Sequence, residues 1–568
     1  MGIRPPSKAN TFDYIVIGGG TAGGVIAKEL TDDRRTSVLV LEAGTNQTAQ
    51  LSSPNVLNTI ALASDNKFAF NLLSRTETFV QRQLITVNGR TIGGSSEVNF
   101  MFAVRGSREL YDEWATLSGN ERWSYDQVSP LFIENETYTG QTQEPNERGR
   151  RGPIFVRQQH IPPNGIIQTL TIAAAKILNI AIVEDYNTGV RDCTFFANQF
   201  LQKEFDGTIT RSSTATGYLN QSIVIQGNEL EPDEIGVGGR KLVILAKTTV
   251  DKVVFQKKNG QMIASGVKYV RDGISNIAFA RKGVIVSAGF LSSVILQRSG
   301  IGKSSDLINA GITPLIENPN VGYNLQTQAY AGLGVRVDTS QLFPIVAADP
   351  NQPIAFGAFK AEQVNRLEGR RLQMQGVPAP IFLPIQDVIT NGWELDLTKP
   401  TNIMSFGIID LNPSSKGTIM AAHSDPEALP SFTFNPLQPN TSDLDFMIDQ
   451  YINMYNIIVE ARNNNSGIHE VVFPPEQIFT LPDEAEKRRQ LGNFVRASLS
   501  NFYHYGGQCK MGRNIQEGVV NGFLDVFGAK NLKVADLSIA PILPDGNTSL
   551  PAQMIGLNAV RFIRDEQN

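Results

Sequence analysis

The sequence predicts an α/β fold in which a Rossmann-like nucleotide-binding domain is joined to a second domain. Near the N-terminus, a strand, a glycine-rich turn, a helix and a second strand follow one another within about thirty residues. Apolar strands recur in the middle and near the end of the chain, as expected for a parallel sheet assembled from distant segments. At 568 residues the chain is also too long for one hydrophobic core.

The first of these elements is the apolar run 12–17, which predicts a buried parallel strand. A glycine-rich turn follows, and then a helix over 24–30 with its apolar residues on one face. The second strand, 37–41, ends at Glu42. These elements form one complete strand–turn–helix–strand unit.

The turn carries the pattern Gly18-x-Gly20-x-x-Gly23, which is typical of dinucleotide-binding sites. Gly18 permits the tight turn, Gly20 lets the backbone approach a pyrophosphate, and Gly23 lets helix and strand pack closely. The helix N-terminus then offers N–H groups and a partial positive charge to the phosphates. We expect Glu42 to accept hydrogen bonds from a ribose, which disfavours NADP. The pattern alone leaves NAD and FAD open.

Later segments supply the remaining elements. The runs 241–245 and 282–287 predict two more buried strands, separated by a β-rich excursion over 250–281. The run 532–536 predicts a last strand that ends in an acid, and a final helix begins at about Ala552. The nucleotide-binding domain is therefore predicted to be discontinuous, over 11–157, 210–322 and 500–568. A substrate-binding domain is expected over 158–209 and 323–499.

Composition excludes several classes of partner. With 18% charged residues and a net charge of −5, the chain has no basic surface for nucleic acid. No apolar run reaches the roughly 18 residues of a membrane span, and none precedes the first strand as a signal peptide would. We expect a soluble protein, cytoplasmic by default, with secretion open if a signal peptide was removed. Cys193 and Cys509 stand alone, so we expect no disulfide framework and no metal site.

The segment from Gly89 to Gly106, GRTIGGSSEVNFMFAVRG, decides between the nucleotides, because it resembles the first signature of the glucose–methanol–choline (GMC) oxidoreductases. Other family landmarks follow in order along nearly the whole chain. They are Trp123-Ser124-Tyr125, Asp185-Tyr186-Asn187, Arg211-Ser212-Ser213-Thr214, Ala288-Gly289 through Gly302, Gly322-Tyr323-Asn324-Leu325-Gln326, His504 with Gly506, and Asn547-Thr548. The resemblance implies an FAD-binding domain of the GR2/GMC type and an α+β substrate domain built on an antiparallel sheet.

The same resemblance implies which residues contact FAD. They are Gly18, Gly20, Thr21, Ala22, Gly23, Glu42, Ala43, Arg90, Gly93, Gly94, Ser95, Asn99, Phe100, Met101, Val250, Ala288, Asp536, Asn547 and Thr548. Some family members attach FAD covalently through a histidine just before the asparagine of this signature. Here Val98 occupies that position, and no histidine occurs before His160, so we expect non-covalent FAD.

Two positions depart from the family pattern. The second signature is one residue short between Gly289 and Ser299. After Leu325-Gln326 the family usually has Asp-His, whereas this chain has Thr327-Gln328, to which no role is assigned.

The expected chemistry is oxidation of an alcohol, in which a base shares the hydroxyl proton while hydride leaves for flavin N5. Of the four histidines, His504 alone lies in a family motif and resembles the catalytic base. His160, His423 and His469 are expected to be structural. Asn547 resembles the family's partner residue, and its amide would orient the substrate oxygen.

The resemblance implies a small-molecule alcohol as substrate, with a preference for a primary or aromatic one. Electrons would pass on to O₂ or another acceptor, so oxidase and dehydrogenase remain open, as does the oligomeric state. Three alternatives share the fold: an FAD-containing lyase of the hydroxynitrile-lyase type, a fatty-acid photodecarboxylase, and a non-catalytic flavoprotein. Retention of His504 favours redox chemistry over photodecarboxylation.

Overall fold

The computed structural model describes residues 10–46, 53–159, 165–228, 230–342, 355–361, 371–394 and 401–567. The strands in these ranges form two large sheets and four small ones. None of the helices in the same ranges is both long and apolar enough to cross a bilayer.

The strands are numbered in chain order. They are β1 Thr11–Ile17, β2 Val38–Leu41, β3 Ala69–Leu73, β4 Ile85–Gly89, β5 Glu136–Thr139, β6 Ile154–Gln158, β7 Ala181–Val183, β8 Cys193–Phe195, β9 Gln199–Phe200, β10 Gln202–Phe205, β11 Thr208–Arg211, β12 Val224–Ile225, β13 Glu234–Gly236, β14 Leu242–Leu245, β15 Thr249–Lys258, β16 Gln261–Arg271, β17 Ile274–Val286, β18 Ile301–Gly302, β19 Ile316–Glu317, β20 Tyr323–Val337, β21 Phe356–Ala361, β22 Arg371–Val377, β23 Ile403–Asp410, β24 Gly417–Met420, β25 Ser431–Thr433, β26 Ile468–Phe473, β27 Ser500–Gly506, β28 Ala529–Lys530 and β29 Leu532–Val534.

The α-helices are numbered in the same way. They are α1 Gly23–Leu30, α2 Val56–Ser64, α3 Arg108–Ser118, α4 Tyr125–Asn135, α5 Gly165–Leu178, α6 Thr214–Gly217, α7 Ser292–Arg298, α8 Ser304–Asn309, α9 Ile385–Thr390, α10 Asp443–Arg462, α11 Glu476–Phe479, α12 Glu484–Ser498 and α13 Ser549–Asp565. Short 3₁₀ turns connect several of these elements.

The first large sheet has the order β12-β13-β14-β2-β1-β17-β16-β15, with β28 paired to β16 and β29 to β17. Its centre is parallel, because β14, β2, β1, β17 and β29 run side by side in one direction. All four residues of β2 and the last four of β1 are buried, as the apolar runs predicted. The sequence therefore predicted this parallel centre correctly.

The second large sheet has the order β25-β24-β20-β23-β22-β21-β8-β7, with β26 and β27 also paired to β20. Nearly all its ladders are antiparallel, as the resemblance implied; β7 and β8 alone among these pairs run parallel. One face packs on α5 and α10 through a cluster that includes Met374, Phe406, Tyr451 and Ile457. The other face is turned toward the loops that carry the candidate site.

Two boundaries differ from the sequence prediction. The run 282–287 is not a separate strand but the end of β17, which begins at Ile274 and forms an antiparallel meander with β15 and β16. By sheet membership β27 belongs to the second sheet, although the sequence grouped residues from 500 onward with the nucleotide-binding domain. A strand of mixed polarity such as SNFYHYG carries no signal of which sheet it will join.

Candidate functional site

The glycine turn after β1 has the geometry that its sequence predicted. Gly18 has φ +95°, and a Cβ there would lie 2.5 Å from the carbonyl oxygen of Ser287. A Cβ on Gly23 would overlap the Gly18 carbonyl oxygen. At Gly20, in contrast, a Cβ would meet only the Gly94 Cα, at 3.8 Å, among the described residues. Two of the three glycines are therefore required by packing, and the third borders open space.

Glu42, at the end of β2, holds this turn. Its carboxylate is buried and accepts hydrogen bonds from the N–H groups of Gly19 and Gly44, each at 2.8 Å. Burial raises the pKa of Glu42. Ala43 follows directly, and the backbone of Arg90 lies against Gly44. The Arg90 guanidinium stacks over the Phe70 ring at 4.8 Å.

The second glycine-rich segment packs against the first. The Gly93 N–H donates to the Gly19 carbonyl at 2.8 Å, and Gly94 has φ +56°. A Cβ on Gly94 would lie 2.7 Å from the Cα of Gly20, so this approach requires a glycine at position 94. Ser95, the next residue, is exposed. Two motifs more than seventy residues apart in the sequence therefore form one surface.

Asn99 is fixed by a buried arginine. One guanidinium nitrogen of Arg211 donates to both the backbone and the side-chain oxygen of Asn99, each at 2.8 Å. The Asn99 side-chain oxygen also accepts from the N–H of Met101, which has φ +63°. Phe100 packs beside Ala379 of the substrate-side loops. These contacts fix Asn99 within the signature segment.

The remaining predicted FAD contacts lie around the same turn. Thr21 accepts a hydrogen bond from the Thr214 hydroxyl at 2.9 Å. Ala22 is buried against α13, since a Cβ on Gly556 would lie 2.9 Å from its carbonyl oxygen. Ala288 lies 3.2 Å from the Cβ position of Gly18.

Three of the predicted FAD-contact residues lie in or just after later strands, or just before the last helix. Val250 is buried at the start of β15 and accepts from Arg298 at 2.9 Å. Asp536, just after β29, is buried and accepts from Gly289, Ser292 and Ser538. Thr548 directly precedes α13. The structure thus brings early, middle and late segments of the chain together around the two glycine turns, Gly18–Gly23 and Gly93–Ser95, and we call this surface the cradle.

A bulge in β27 positions His504. Thr327 pairs with Tyr505 and Ala329 with Asn501, so one residue of β20, Gln328, faces three residues of β27. Tyr503, within the bulge, has φ +60°, a strained value for a bulky side chain. Such bulges redirect side chains next to active sites.

Gln328 is the residue that His504 contacts. The His504 Nδ1 lies 2.7 Å from the side-chain oxygen of Gln328, which is fully buried. The side-chain nitrogen of Gln328 donates to the carbonyl oxygens of Pro544 at 2.6 Å and Gly546 at 3.3 Å. The histidine is therefore linked through one side chain to the loop that carries Asn547.

Asn547 lies at the end of that loop and is half-buried. Its side-chain oxygen accepts from the side-chain nitrogen of Gln373, on β22, at 3.2 Å. The loop is also anchored by Asp545, which accepts from the N–H of Ser107 at 2.9 Å and lies 3.6 Å from Arg371. No described residue accepts a hydrogen bond from the Asn547 amide nitrogen, so its N–H₂ can donate to a ligand.

The surroundings of His504 are aromatic. The Phe502 ring packs edge-on against the imidazole, with centroids 5.0 Å apart, and Tyr330 contacts Phe502 and Phe382 in turn. Burial lowers the pKa of His504 to about 3. The imidazole is therefore neutral, and able to accept a proton, throughout the physiological pH range.

The other histidines have different surroundings. His469 is exposed and lies 2.9 Å from the Asp338 carboxylate, and His423 accepts from the N–H of Asp425. His160 lies outside the described residues.

Sequence reasoning missed three residues of this site: Gln328, Gln373 and Arg211 in its role toward Asn99. A signal for Gln328 was present, since Thr327-Gln328 departs from the family pattern at the position that faces His504. For Gln373 there was none, because a glutamine in a strand of mixed polarity is ordinary.

Comparisons with known proteins cover almost the whole chain. A family model for the GMC oxidoreductase N-terminal domain matches residues 12–330, and its C-terminal counterpart matches 413–556. An oxygen-dependent choline dehydrogenase of Chromohalobacter salexigens is 29% identical over 591 residues, covering 99% of this chain and 96% of that protein.

Solved structures with the same fold were also found. Pyridoxine 4-oxidase from Mesorbium loti has a TM-score of 0.79 at 22% identity, covering 98% of this chain and 99% of the other. A formate oxidase variant from Aspergillus oryzae has a TM-score of 0.81 at 20% identity, with 99% of each chain covered. A fungal aryl-alcohol oxidase has a TM-score of 0.71 at 21% identity, covering 98% and 99%.

Proposed function

The chain belongs to the GMC oxidoreductases, and from that premise we propose that it oxidises the CH–OH group of an organic alcohol with FAD as the hydride acceptor. His504 serves as the base and Asn547 orients the substrate oxygen. The family assignment supports the class of enzyme and its use of FAD. The roles of the two residues rest on their geometry.

The residues of the cradle fit a dinucleotide. Gly18 and Gly23 pack against backbone, whereas Gly20 borders open space. The turn is therefore packed at its two ends and accessible to a ligand at Gly20. No side chain caps the N-terminus of α1 among the described residues, although the Gly24 N–H already donates to the Gly20 carbonyl at 2.9 Å. Gly93, Gly94 and exposed Ser95 extend the same surface. When bound there, FAD supplies the group that takes the hydride.

The observation that carries the proposal is the link between His504 and the loop of Asn547. Gln328 contacts both parts of the site. Its side-chain oxygen faces His504, and its side-chain nitrogen donates to the carbonyl oxygens of Pro544 and Gly546, just before Asn547. A neutral imidazole and a free amide N–H₂ are thereby presented together. An alcohol needs such a pair, an acceptor for its proton and a donor to its oxygen.

The low pKa of His504 has a consequence for the order of events. An imidazole with a pKa of about 3 is always in the base form near neutral pH, but it is a weak base. It therefore cannot generate a free alkoxide before the hydride leaves. The hydroxyl proton moves to His504 as the carbon-bound hydride departs, and Asn547 holds the oxygen throughout. The Phe502 ring covers one side of the imidazole during this step.

For the substrate we propose a primary or aromatic alcohol. Relatives and structural neighbours are named for choline, pyridoxine and aryl alcohols, each of which carries a primary hydroxyl. The rings of Phe502, Tyr330 and Phe382 form an apolar wall beside His504, which suits an aryl or alkyl group better than a sugar. Electrons then pass to O₂ or another acceptor.

An anaerobic screen tests the proposal. Benzyl alcohol, 1-butanol, choline, pyridoxine and glucose are each mixed with the purified yellow protein while flavin absorbance is followed. We expect bleaching by at least one primary alcohol. When air is admitted, return of the colour with formation of peroxide would indicate an oxidase, and return only after an added electron acceptor would indicate a dehydrogenase. If none of these and no wider alcohol panel bleached the flavin, the proposal would fail. Substrate loss with an unchanged flavin spectrum would indicate a lyase, and turnover only under blue light would indicate a photodecarboxylase.

A further inference from the structure

The orientation of the Gln328 carboxamide follows from its surroundings. Its nitrogen faces two backbone carbonyl oxygens, those of Pro544 and Gly546. A carbonyl oxygen can only accept, so the reversed amide would place oxygen against oxygen at both contacts. Gln328 is fully buried, which makes such a loss expensive. The oxygen of the amide must therefore be the atom that faces His504.

That orientation decides the tautomer of the histidine. The amide oxygen lies 2.7 Å from His504 Nδ1 and can only accept, so Nδ1 must carry a hydrogen. The ring is neutral because burial lowers its pKa, and a neutral imidazole has one N–H. The lone pair is then on Nε2.

We infer that Gln328 is a positioning residue that locks His504 with its proton on Nδ1 and its basic lone pair on Nε2. The role rests on the proposed function of His504 as the base. Without this contact, neutral histidine favours the opposite tautomer, with hydrogen on Nε2, in which the nitrogen needed for the substrate proton would already be occupied. Gln328 stands where the family usually has a histidine, so this arrangement belongs to this chain's own sequence.

The same amide also couples the two active groups. Its two N–H bonds fix the carbonyls of Pro544 and Gly546, and Gly546 directly precedes Asn547. A Cβ on Gly546 would lie against Val104, so the loop has little freedom on its other side. A change at Gln328 is therefore felt both at the base and at the oxygen-binding amide.

The first test reads the tautomer without any substitution at Gln328. The FAD-loaded protein is prepared with ¹⁵N-labelled histidine, and the four histidine side chains are resolved by ¹⁵N spectroscopy near pH 7.5. The His504→Ala variant identifies the His504 signals by their loss. We expect a protonated Nδ1 and an unprotonated Nε2. A protonated Nε2 in the unaltered protein would overturn the inference.

The second test uses a matched pair of variants. Gln326, two residues earlier on β20, is also buried and also holds the late loop, by donating to the Pro541 carbonyl at 3.0 Å while accepting from Lys416 at 2.9 Å. Gln328→Met removes the contact to His504. Gln326→Met removes a comparable pair of hydrogen bonds, to the Pro541 carbonyl and from Lys416. Both are examined by ¹⁵N spectroscopy and by anaerobic flavin reduction, using the alcohol from the panel above that reduces the flavin fastest.

We expect Gln328→Met to move His504 toward the Nε2–H form and to slow flavin reduction by about tenfold or more, the effect typical of losing the partner of a working histidine. Gln326→Met should keep the Nδ1–H form and the parental rate. An unchanged tautomer in Gln328→Met, or an equal loss of rate in both variants, would overturn the role of Gln328. The tautomer needs no substrate to be read, so failure of the alcohol screen and failure of this inference are separate results.

Discussion

The proposed role of His504 as the base depends on contacts on several sides. The Phe502 ring packs against the half-buried imidazole, and a carboxamide occupies one of its nitrogens. Phe502 lies two residues before His504 in the sequence, whereas Gln328 lies 176 residues before it. The bulge in β27 is what turns the imidazole toward Gln328.

Replacing this histidine is the most direct change at this scale. His504→Ala removes the proton acceptor, and we expect anaerobic flavin reduction to fall by at least about 10²-fold, the low end for general base catalysis. His469→Ala is the control, because the His469 side chain is exposed and its ring nitrogen lies 2.9 Å from the Asp338 carboxylate, away from His504. Stopped-flow absorbance gives both rates. A rate for His504→Ala close to the parental one would remove His504 from the mechanism.

The pH dependence of the same rate follows from burial. Because the pKa of His504 is lowered to about 3, its base form is present above that value and is lost as pH falls through it. We expect the limiting rate of flavin reduction to stay level between about pH 9 and pH 5. An exposed imidazole would instead lose half its base form near pH 6.5. A half-loss of rate between pH 6 and 7, measured with the parental protein, would contradict the lowered pKa.

Sequence alone identified His504, Asn547 and the glycines as candidates, since each lies in a recognisable local pattern. The departure at Thr327-Gln328 marked the position of Gln328, but not its role, which depends on one residue of β20 facing three of β27. Register and bulges come from tertiary packing, which a local pattern does not contain.

At the scale of elements, the cradle depends on two glycine turns in direct contact. The turn after β1 and the turn after β4 meet at Gly20 and Gly94. These glycines have different neighbours, so equal substitutions at the two positions should have different effects. Packing around the turns could not be predicted, although their separate glycine patterns could.

Gly20→Ala should weaken flavin binding without unfolding the protein. Its methyl group would meet only the Gly94 Cα, at 3.8 Å among the described residues, but would occupy the space through which a pyrophosphate approaches. We expect the dissociation constant for FAD, measured by fluorescence quenching on the apoprotein, to rise by about tenfold or more, with an unchanged melting temperature of the apoprotein. Parental affinity in this variant would show that no phosphate group approaches Gly20.

Gly94→Ala should act on folding instead. Its methyl group would lie 2.7 Å from the Gly20 Cα, and its φ of +56° disfavours any side chain. We expect the free energy of unfolding of the apoprotein to fall by about 1–2 kcal/mol from the backbone conformation alone. Urea denaturation measures this difference, and Gly260→Ala, in the exposed hairpin between β15 and β16, has a similar positive φ but free space around it. Equal losses in both variants would mean that contact with Gly20 contributes nothing.

At the scale of the whole molecule, the two large sheets meet around the site. The first sheet supplies the cradle, and the second supplies Gln328, Gln373 and His504. The parallel centre of the first sheet was predicted because its strands are continuous apolar runs. The assignment of β27 to the second sheet was not predicted, because its alternating polar and aromatic residues fit either sheet.

We expect the flavin to be removable, since Val98 stands where a covalent attachment would need histidine. Acid precipitation should leave all yellow colour in the supernatant, and the apoprotein should regain stability when FAD is added back. A site filled at about 100 times its dissociation constant adds about 2.7 kcal/mol to the free energy of unfolding. Differential scanning fluorimetry against FAD concentration measures the shift, with riboflavin, which lacks the pyrophosphate, as control. Colour that stays with the precipitate would contradict non-covalent binding.

The position of β29 and α13 has a consequence for biosynthesis. β29 completes the first sheet beside β17, and α13 packs on α1 next to the first glycine turn. A ribosome delivers β29 and α13 after β1, β2 and β17, so a growing chain exposes an unfinished sheet edge and an uncovered apolar helix face until both segments have emerged. We therefore expect lasting capture of FAD only after α13 has emerged, and a polypeptide that stops before β29 would carry both glycine turns without a lasting hold on FAD.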